Sequence, residues 1–473
     1  MTREIKPDYS QTFLLPPALE DWVDEEHPAR FVRDFVDSLD LASLGFQGRR
    51  SPDGRPSYSD GLMLKIWIFG YFNDIRSSRK LERACREMMG FLWLTGMNTP
   101  DHNTLWRFFN RYPKAIQNVF VETVVLASQA RLLNTTVHAV DGTKIRARCS
   151  DEGQLTKRKL KAALTEEERR IAEYMEDVAR AEEEEEGQYR LPEELKDAET
   201  RKKWIRERLE KLRSKGIESE QPSESDARKM KSRGAFHFGY NAQAVVDVDS
   251  GLVVASDVTD EQNDSHQLGP MARLAKKNTG SNAEELLADT GYATLPEFGE
   301  LFEEGANVTV DLPRRLQAGP QDSEFHASHF SFDEENDVVI CPLGKQLEFS
   351  CSKIERHGRY RVRVYRCQNS KDCPRRSECC KGKSARTIEI SPYHKALEAQ
   401  REKYKDPEKR KASKILRARV ETLFGQTKGN RQFRRFTSWG LLNAKAQWAL
   451  LCTTGNLRKL HRIWVDQLAT TAA

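Results

Sequence analysis

The sequence predicts an all-α domain followed by an interrupted α/β domain, on three observations. Residues 28–125 carry apolar residues at helical spacing between polar caps. From Asn134 onward, short β-branched runs ending at Asp or Gly alternate with helical runs. Between two of those strand runs lies a charged stretch, residues 151–233, whose sparse apolar stripe reads as an insertion and not as a second core.

A chain of 473 residues has room for two or three domains. It is 38% hydrophobic and 32% charged, and its net charge is only +5. The distribution matters more, because residues 401–473 hold seventeen Lys/Arg against five Asp/Glu. A basic C-terminal end points to a polyanion near that surface. No apolar run approaches the roughly 20 residues of a membrane span. The start, "MTREIKPDYSQTF", lacks the apolar core of a signal peptide, so the expected location is the cytoplasm. There, nine cysteines read as free thiols or metal ligands, not as a disulfide framework.

The first domain is expected over residues 1–125. "SDGLMLKIWIFGYFNDI" opens on a Ser/Asp cap, and "SSRKLERACREMMGFLWLTG" reads as one helix stopped at Gly96. Thr99 and Asp101 are positioned to cap a third helix over His102–Tyr112, ended by Pro113. Helix, short Gly-containing turn and helix make a helix-turn-helix pattern, in which His102, Asn103 and Arg107 point at DNA. The plain alternative is an ordinary helical bundle. On either reading Trp106, Phe108 and Phe109 are expected in the core.

The α/β domain is expected over residues 130–465. "NTTVHAVDGTKIRA" is a strand with a carboxylate, Asp141, at its end. The insertion follows as two antiparallel charged helices, with apolar stripes from Ile171, Tyr174, Met175 and Val178, and from Trp204, Ile205, Leu209 and Leu212. Its five-Glu run at 182–186 reads as a solvated face. Strands resume at Gly234, with a hairpin turn at Asp249-Ser250-Gly251. A helix over "DSHQLGPMARLAKKNTG" comes next, then a short apolar run into Asp289 and a strand in "ANVTVDLPRR".

"ILRARVETLFGQTKGNRQFRRF" is then a long helix whose one acid is Glu421. No other Asp or Glu lies between Lys409 and Val465. At about 100° per residue, Arg417 and Lys428 fall within about 40° and 20° of Glu421, beside the stripe Leu416, Val420, Leu423 and Phe424. A surface ion pair at i,i+4 spacing would be worth roughly 0.3–0.5 kcal/mol and explain little. A carboxylate holding a divalent ion against phosphate needs just such basic neighbours. Asp141, Asp289 and Glu421 make a hard-oxygen set suited to Mg²⁺ or Mn²⁺ if the fold brings them together.

"VDGTKI", "ADTGY" and Arg417-x3-Glu421-x6-Lys428 resemble, in this order, the signature blocks of the DDE transposases of bacterial insertion sequences. "GYNAQAVVD" with "NDSHQL" is similar to the segment joining the first two blocks, and "GRPSYSDGLMLKIWIFGYFNDI…NTPDHNTLWRF" resembles the family's helical DNA-recognition domain. The resemblance covers roughly residues 30–150 and 226–460. It implies an RNase H-like α/β catalytic domain with helical and Cys-rich insertions, preceded by a helix-turn-helix-type domain. The implied activity is metal-dependent cleavage of DNA at terminal inverted repeats, followed by strand transfer. It also implies double-stranded DNA as partner, a homodimer or higher oligomer on that DNA, and association with the nucleoid. Asp141, Asp289 and Glu421 correspond to the metal ligands, and Arg417 and Lys428 to DNA-contacting cations. Arg431, Arg434 and Arg435 extend that basic surface. The family often has Tyr three residues before the Arg, where this chain has Lys414. A nuclease that does not join strands, or an inactive DNA-binding regulator, would share these features.

Six of the nine cysteines lie between Cys341 and Cys380, in an expected insertion over residues 320–395. The spacing lacks a Cys-x2-Cys knuckle, but the segment is polar and looks too poor in apolar residues to build its own core. A structural Zn²⁺ would supply the missing stabilisation. The resembled branch has a similar Cys-rich insertion. The chosen ligands are Cys341, Cys367, Cys373 and Cys379, with Cys380 able to replace Cys379 and Cys351 left over.

Overall fold

The computed structural model describes residues 18–48, 57–182, 193–232, 234–313, 316, 324–355, 360–368, 370–380 and 384–472. The described residues fall into two compact units, one running to Ala127 and resuming at Lys445, the other spanning Ser128–Ala444.

The first unit is helical. Its helices are α1 (Pro28–Asp37), α2 (Leu41–Leu44), α3 (Asp60–Phe72), α4 (Ser78–Glu87), α5 (Met89–Thr95), α6 (His102–Arg111) and α7 (Pro113–Gln129). Helix α3 is apolar all round and buried on nearly every side from Met63 to Tyr71, so the others pack about it. Trp67 of α3 meets Phe109 at 4.8 Å between ring centroids and donates its indole N–H to the Leu105 carbonyl. Removing such a ring from a packed core costs about 3–5 kcal/mol.

Two sequence expectations need correction here. The single helix expected over residues 77–96 is two, broken at Met88, whose backbone is extended. The break seats Gly90 against Phe69, where a Cβ would lie 3.0 Å from the ring. Trp106 is 49% exposed, while Phe108 and Phe109 are buried as expected. The reason is register: α6 buries Leu105, Phe108 and Phe109, and Trp106 falls on the other side.

The second unit is built on a mixed sheet. Strand β1 (Val137–Arg146) leads into β2 (Leu155–Thr156), α8 (Lys157–Glu182), α9 (Glu193–Ser214), β3 (Ser219–Glu220) and β4 (Arg228–Ser232). Then come β5 (Ala235–Asp247), β6 (Val253–Thr259), α10 (Leu268–Thr279), β7 (Glu285–Ala288), α11 (Leu295–Glu303) and β8 (Val308–Val310). The sheet order is β4-β5-β1-β7-β8, and β6 also pairs with β5. Strand β1 is antiparallel to β5 and parallel to β7, which is parallel to β8. The expected hairpin at residues 249–251 joins β5 to β6, with Gly251 at φ +66°. Helices α8 and α9 pack through Leu160, Ile205, Leu209 and Leu212. Trp204 is 42% exposed and Arg208 lies over its ring, so it leaves the expected stripe. Most of the five-Glu run, and the Tyr174, Met175 and Val178 side chains, lie outside the described residues.

A second sheet follows: β9 (Ser331–Asp333), β10 (Val338–Ile340), β11 (Gln346–Ile354), β12 (Arg361–Cys367) and, after the short α12 (Arg376–Cys379), β13 (Thr387–Ile390). Its strands pair antiparallel in chain order. The expectation that this segment lacks a core is corrected. Phe325, Phe330, Val339, Leu347, Tyr365 and Ile388 form one, and Cys341, Cys367 and Cys379 pack against it. Cys351 is exposed. Burial pushes the Cys379 thiol up to about 11, with neighbouring Cys380 adding to the shift. The apolar side chains alternate with charged ones along the strands, which is why the segment looks polar in sequence.

The chain closes with α13 (His394–Lys405), α14 (Pro407–Lys428) and α15 (Leu441–Ala472). The α/β domain was expected to run to residue 465. Instead, from Lys445 onward α15 belongs to the helical unit. There it buries Trp448, Leu450 and Leu457, and Asn456 donates to the buried Thr123 hydroxyl at 3.1 Å.

Because the second sheet has an apolar core, its stability is expected not to require zinc. Dialysis of the full chain against EDTA should move the thermal midpoint by less than about 2 °C, under 1 kcal/mol at this size. Loss of about one zinc per chain with a much larger drop would restore the cysteines as ligands.

Candidate functional site

Three neighbouring strands each bring an Asp to the place where their parallel pairing ends. Val137–Ala139 of β1 pair in parallel with Glu285–Leu287 of β7, and two residues further on stand Asp141 and Asp289. Ala288 of β7 pairs with Val310 of β8, and the next residues are Asp289 and Asp311. Adjacent strands lie about 4.8 Å apart, so the register lines up the three carboxylates at the carboxyl ends of parallel strands. That is where open α/β sheets bind ligands. One detail differs from expectation. Strand β1 does not stop at Asp141; it continues through Gly142 to Arg146 along β5. Only its pairing with β7 ends before Asp141.

Asp141 accepts a hydrogen bond from the Gly142 N–H at 2.7 Å. Burial pushes its carboxyl up to about 7, and the charges of Asp289, Asp264 and Glu421 push the same way. Asp289 caps the short turn Thr290–Tyr292 through the Gly291 N–H at 2.8 Å. Burial also raises its carboxyl, against the opposing pull of that N–H and of Arg417.

Helix α14 packs against β1, β5 and β7 and is pinned at two points. Arg417 binds Asp311 at 2.5 Å and the Ala288 carbonyl at 3.1 Å. Lys428 donates to the Lys144 carbonyl at 3.0 Å. Between these pins Glu421 is exposed and makes no hydrogen bond or ion pair among the described residues. The plain i,i+4 pairing of Arg417 with Glu421 is therefore not made, because Arg417 is spent on Asp311. Tyr404 also donates to Asp311, at 3.0 Å.

The other basic residues divide. Lys144, Arg146, Lys428, Arg434 and Arg435 line a cavity of about 400 Å³ floored by Ile145, Met230 and Phe238. Arg434 and Arg435 are exposed, and Arg435 has no ion-pair partner among the described residues. Arg431 is 8% exposed, so it does not belong to the basic surface expected of it. Its N–H bonds the Gln426 carbonyl in the turn that ends α14, and that turn folds the side chain inward.

On the helical unit, Asp101 caps α6, accepting from the Asn103 and Thr104 N–H groups at 2.9 and 3.0 Å. Asn103, Trp106, Arg107 and Arg111 share its exposed side. His102 is turned away, its ring 2.7 Å from Glu82.

The sequence reading missed Asp264 and Asp311. Asp311 had a usable signal, since "VTVD" repeats the pattern of "VHAVD" and "LLAD", a β-branched or aliphatic run ending on Asp. Asp264 stood in a loop with no such mark.

The donor set consists of hard oxygens, and among the described residues the Asp141 carboxyl has no ion-pair partner, only the Gly142 N–H. In kind, the acids suit a divalent cation. In spacing they are open: among the described residues no three His, Cys, Asp or Glu side chains are grouped closely enough to hold a metal ion. The same holds for Cys341, Cys367, Cys373 and Cys379.

A row of acids beneath a basic helix suits chemistry on phosphate esters. Two family models match the chain. One, described as a transposase DDE domain, matches residues 340–461, and the other, described as Transposase domain (DUF772), matches residues 17–111. Both matches support its membership of the insertion-sequence DDE transposases. The first contains Arg417, Glu421 and Lys428; Asp141 and Asp289 lie outside it. No curated protein and no solved structure matches the chain. No helix among the described residues is long and apolar enough to cross a membrane.

The raised Asp141 carboxyl has a stability consequence. Its folded value, about 7, exceeds its ordinary value of 3.8. Ionising it therefore costs folding free energy as pH rises from about 4 through 7, up to about 4 kcal/mol above that. Asp141→Asn is expected to raise the thermal midpoint of metal-free protein at pH 8, with the gain shrinking towards pH 4. An equal effect at both pH values would refute the assignment.

Proposed function

We propose that this chain cleaves DNA at the terminal inverted repeats of an insertion sequence and transfers the freed strand to target DNA. Asp141, Asp289 and Glu421 would hold the divalent ion in an RNase H-like domain. The observation that carries this is Glu421: the one acid of α14 beyond its first turn, without an ion pair among the described residues, its charge bearing on the half-buried Asp141 of β1. The central placement of β1 and the parallel run β1-β7-β8 support the RNase H-like reading.

A bound Mg²⁺ or Mn²⁺ supplies stabilisation of charge on phosphate oxygens and a more acidic bound water. The chain's own groups do the rest. Arg417 holds α14 over the strand ends and so sets where Glu421 stands. Lys428 fixes the far end of that helix and, with Lys144, Arg146, Arg434 and Arg435, offers cations to the phosphates on either side of the reacting one. Neutralising those phosphates makes binding weaken by about 0.9 log units per contact for each decade of salt. Asn103 and Arg107 of α6 would meet base edges in the major groove, with Trp106 beside them to contact a thymine methyl.

Labelled duplexes carrying the element's ends test the chemistry. Asp141→Asn, Asp289→Asn and Glu421→Gln should each abolish Mg²⁺-dependent cleavage while leaving the fold and end binding intact. A variant cutting at near wild-type rate would remove that residue from the ligand set. Cleavage without joining to a target duplex would favour the nuclease reading. In the wild-type chain, binding without cleavage would favour the regulator.

Recognition is tested separately. Arg107→Ala should cost about 1–3 kcal/mol on specific ends and little on random DNA. Equal loss on both would make it a phosphate contact, and no loss would overturn the groove-reading role of α6.

A further inference from the structure

Asp264 stands in the loop before α10, and none of its contacts is with the three acids assigned above. One oxygen, Oδ1, accepts from Lys144 Nζ at 3.0 Å, Asn241 Nδ2 at 2.7 Å and Gln243 Nε2 at 2.7 Å. Gln243 in turn accepts from the Tyr292 hydroxyl. Asn241, Gln243 and Tyr292 are fully buried. Tyr292 closes the turn that Asp289 caps. Gln243 lies directly across from Gly142, and Asn241 across from Lys144.

This network adjoins the glycine one residue after Asp141 and the glycine two residues after Asp289. A Cβ on Gly142 would lie 2.2 Å from Gln243 Nε2 and 2.6 Å from Asp264 Oδ1. A Cβ on Gly291 would lie 3.8 Å from the Asp264 Cβ. Neighbouring strand residues point to opposite faces, so Gly142 and Gln243 lie on the face away from the Asp141 side chain. The loop is also tied to the second turn by Thr294, which donates to the Ser265 carbonyl at 2.8 Å. The bonds thus link β1, β5, the Asp264 loop and the Asp289 turn into one polar unit, buried at Asn241, Gln243 and Tyr292 and half-buried at Asp264 and Lys144.

We propose that Asp264, through Gln243 and Tyr292, is a positioning residue that fixes the separation of Asp141 and Asp289 and so the affinity of their site for a divalent cation. This rests on the reading of Asp141 and Asp289 as ligands. Groups that orient metal ligands typically account for about 10–100-fold in affinity or activity. Asp264 acts as an acceptor here, so an amide oxygen in its place keeps the function and a methyl group does not.

The test is Mn²⁺ binding to the full-length chain, measured by calorimetry or electron paramagnetic resonance, without DNA or turnover. Wild type should bind and Asp141→Asn should not. Asp264→Ala should weaken binding about 10–100-fold. Asp264→Asn, which equally removes the charge facing Lys144 but keeps the acceptor, should stay within about threefold of wild type. Tyr292→Phe, which deletes only the hydroxyl, should weaken binding measurably and carries the test if Asp264→Ala does not fold. Wild-type affinity in Asp264→Ala, or in Tyr292→Phe, overturns the proposal. So does equal weakening by Asn and Ala, which would make the charge itself the working part. Equal Mn²⁺ binding by wild type and Asp141→Asn overturns the ligand reading, and this inference with it. Loss in Asp141→Asn without loss in Asp264→Ala overturns this inference alone.

Discussion

The ion pair between Arg417 and Asp311 fixes where α14 crosses the carboxyl ends of β7 and β8, and the site depends on that crossing. Arg417 also bonds the Ala288 carbonyl, one residue before Asp289. One side chain therefore sets the helix, neutralises the outermost acid of the row and moderates the charge on Asp289. Among the described residues Glu421, one turn further on, has no ion-pair partner, because its natural i−4 cation is already engaged. Had Arg417 paired along the helix, Glu421 would be an ordinary solvated residue and α14 would lose one of its two pins.

The rest of the site manages repulsion. Burial raises the Asp141 carboxyl to about 7, and the like charges gathered near it add to the shift. The protein offsets part of this cost with Arg417 at one end and Lys144, paired to Asp264, near the other. It leaves the middle uncompensated. Carboxyls raised in this way cluster at functional sites.

The Cys-rich segment shows how far composition misleads when the core is small. Phe325, Phe330, Val339, Leu347, Tyr365 and Ile388 are spread over more than sixty residues among many polar and charged ones, and only antiparallel pairing brings them together. Trp106 and Trp204 mislead in the opposite direction. Both are large aromatics expected in apolar stripes, and both face out, because a helix's buried side is chosen by the element it packs against and not by hydrophobicity alone.

By itself the sequence determined the helical start, the interruption of the α/β domain, the acid that follows β7, and the singular Glu421, while it placed Asp141 on β1 but ended that strand too early. These are local matters of periodicity, turn residues and charge along the chain. Tertiary structure decided what each group touches. It took Arg417 away from Glu421, buried Arg431, turned His102 to Glu82, and moved α15 from Lys445 onward into the helical unit. It also assembled Asp264, Gln243 and Tyr292 across three segments. Contacts between residues more than twenty positions apart leave no spacing to read, because they are set by strand register and helix crossing, and these follow from the packing of the whole sheet.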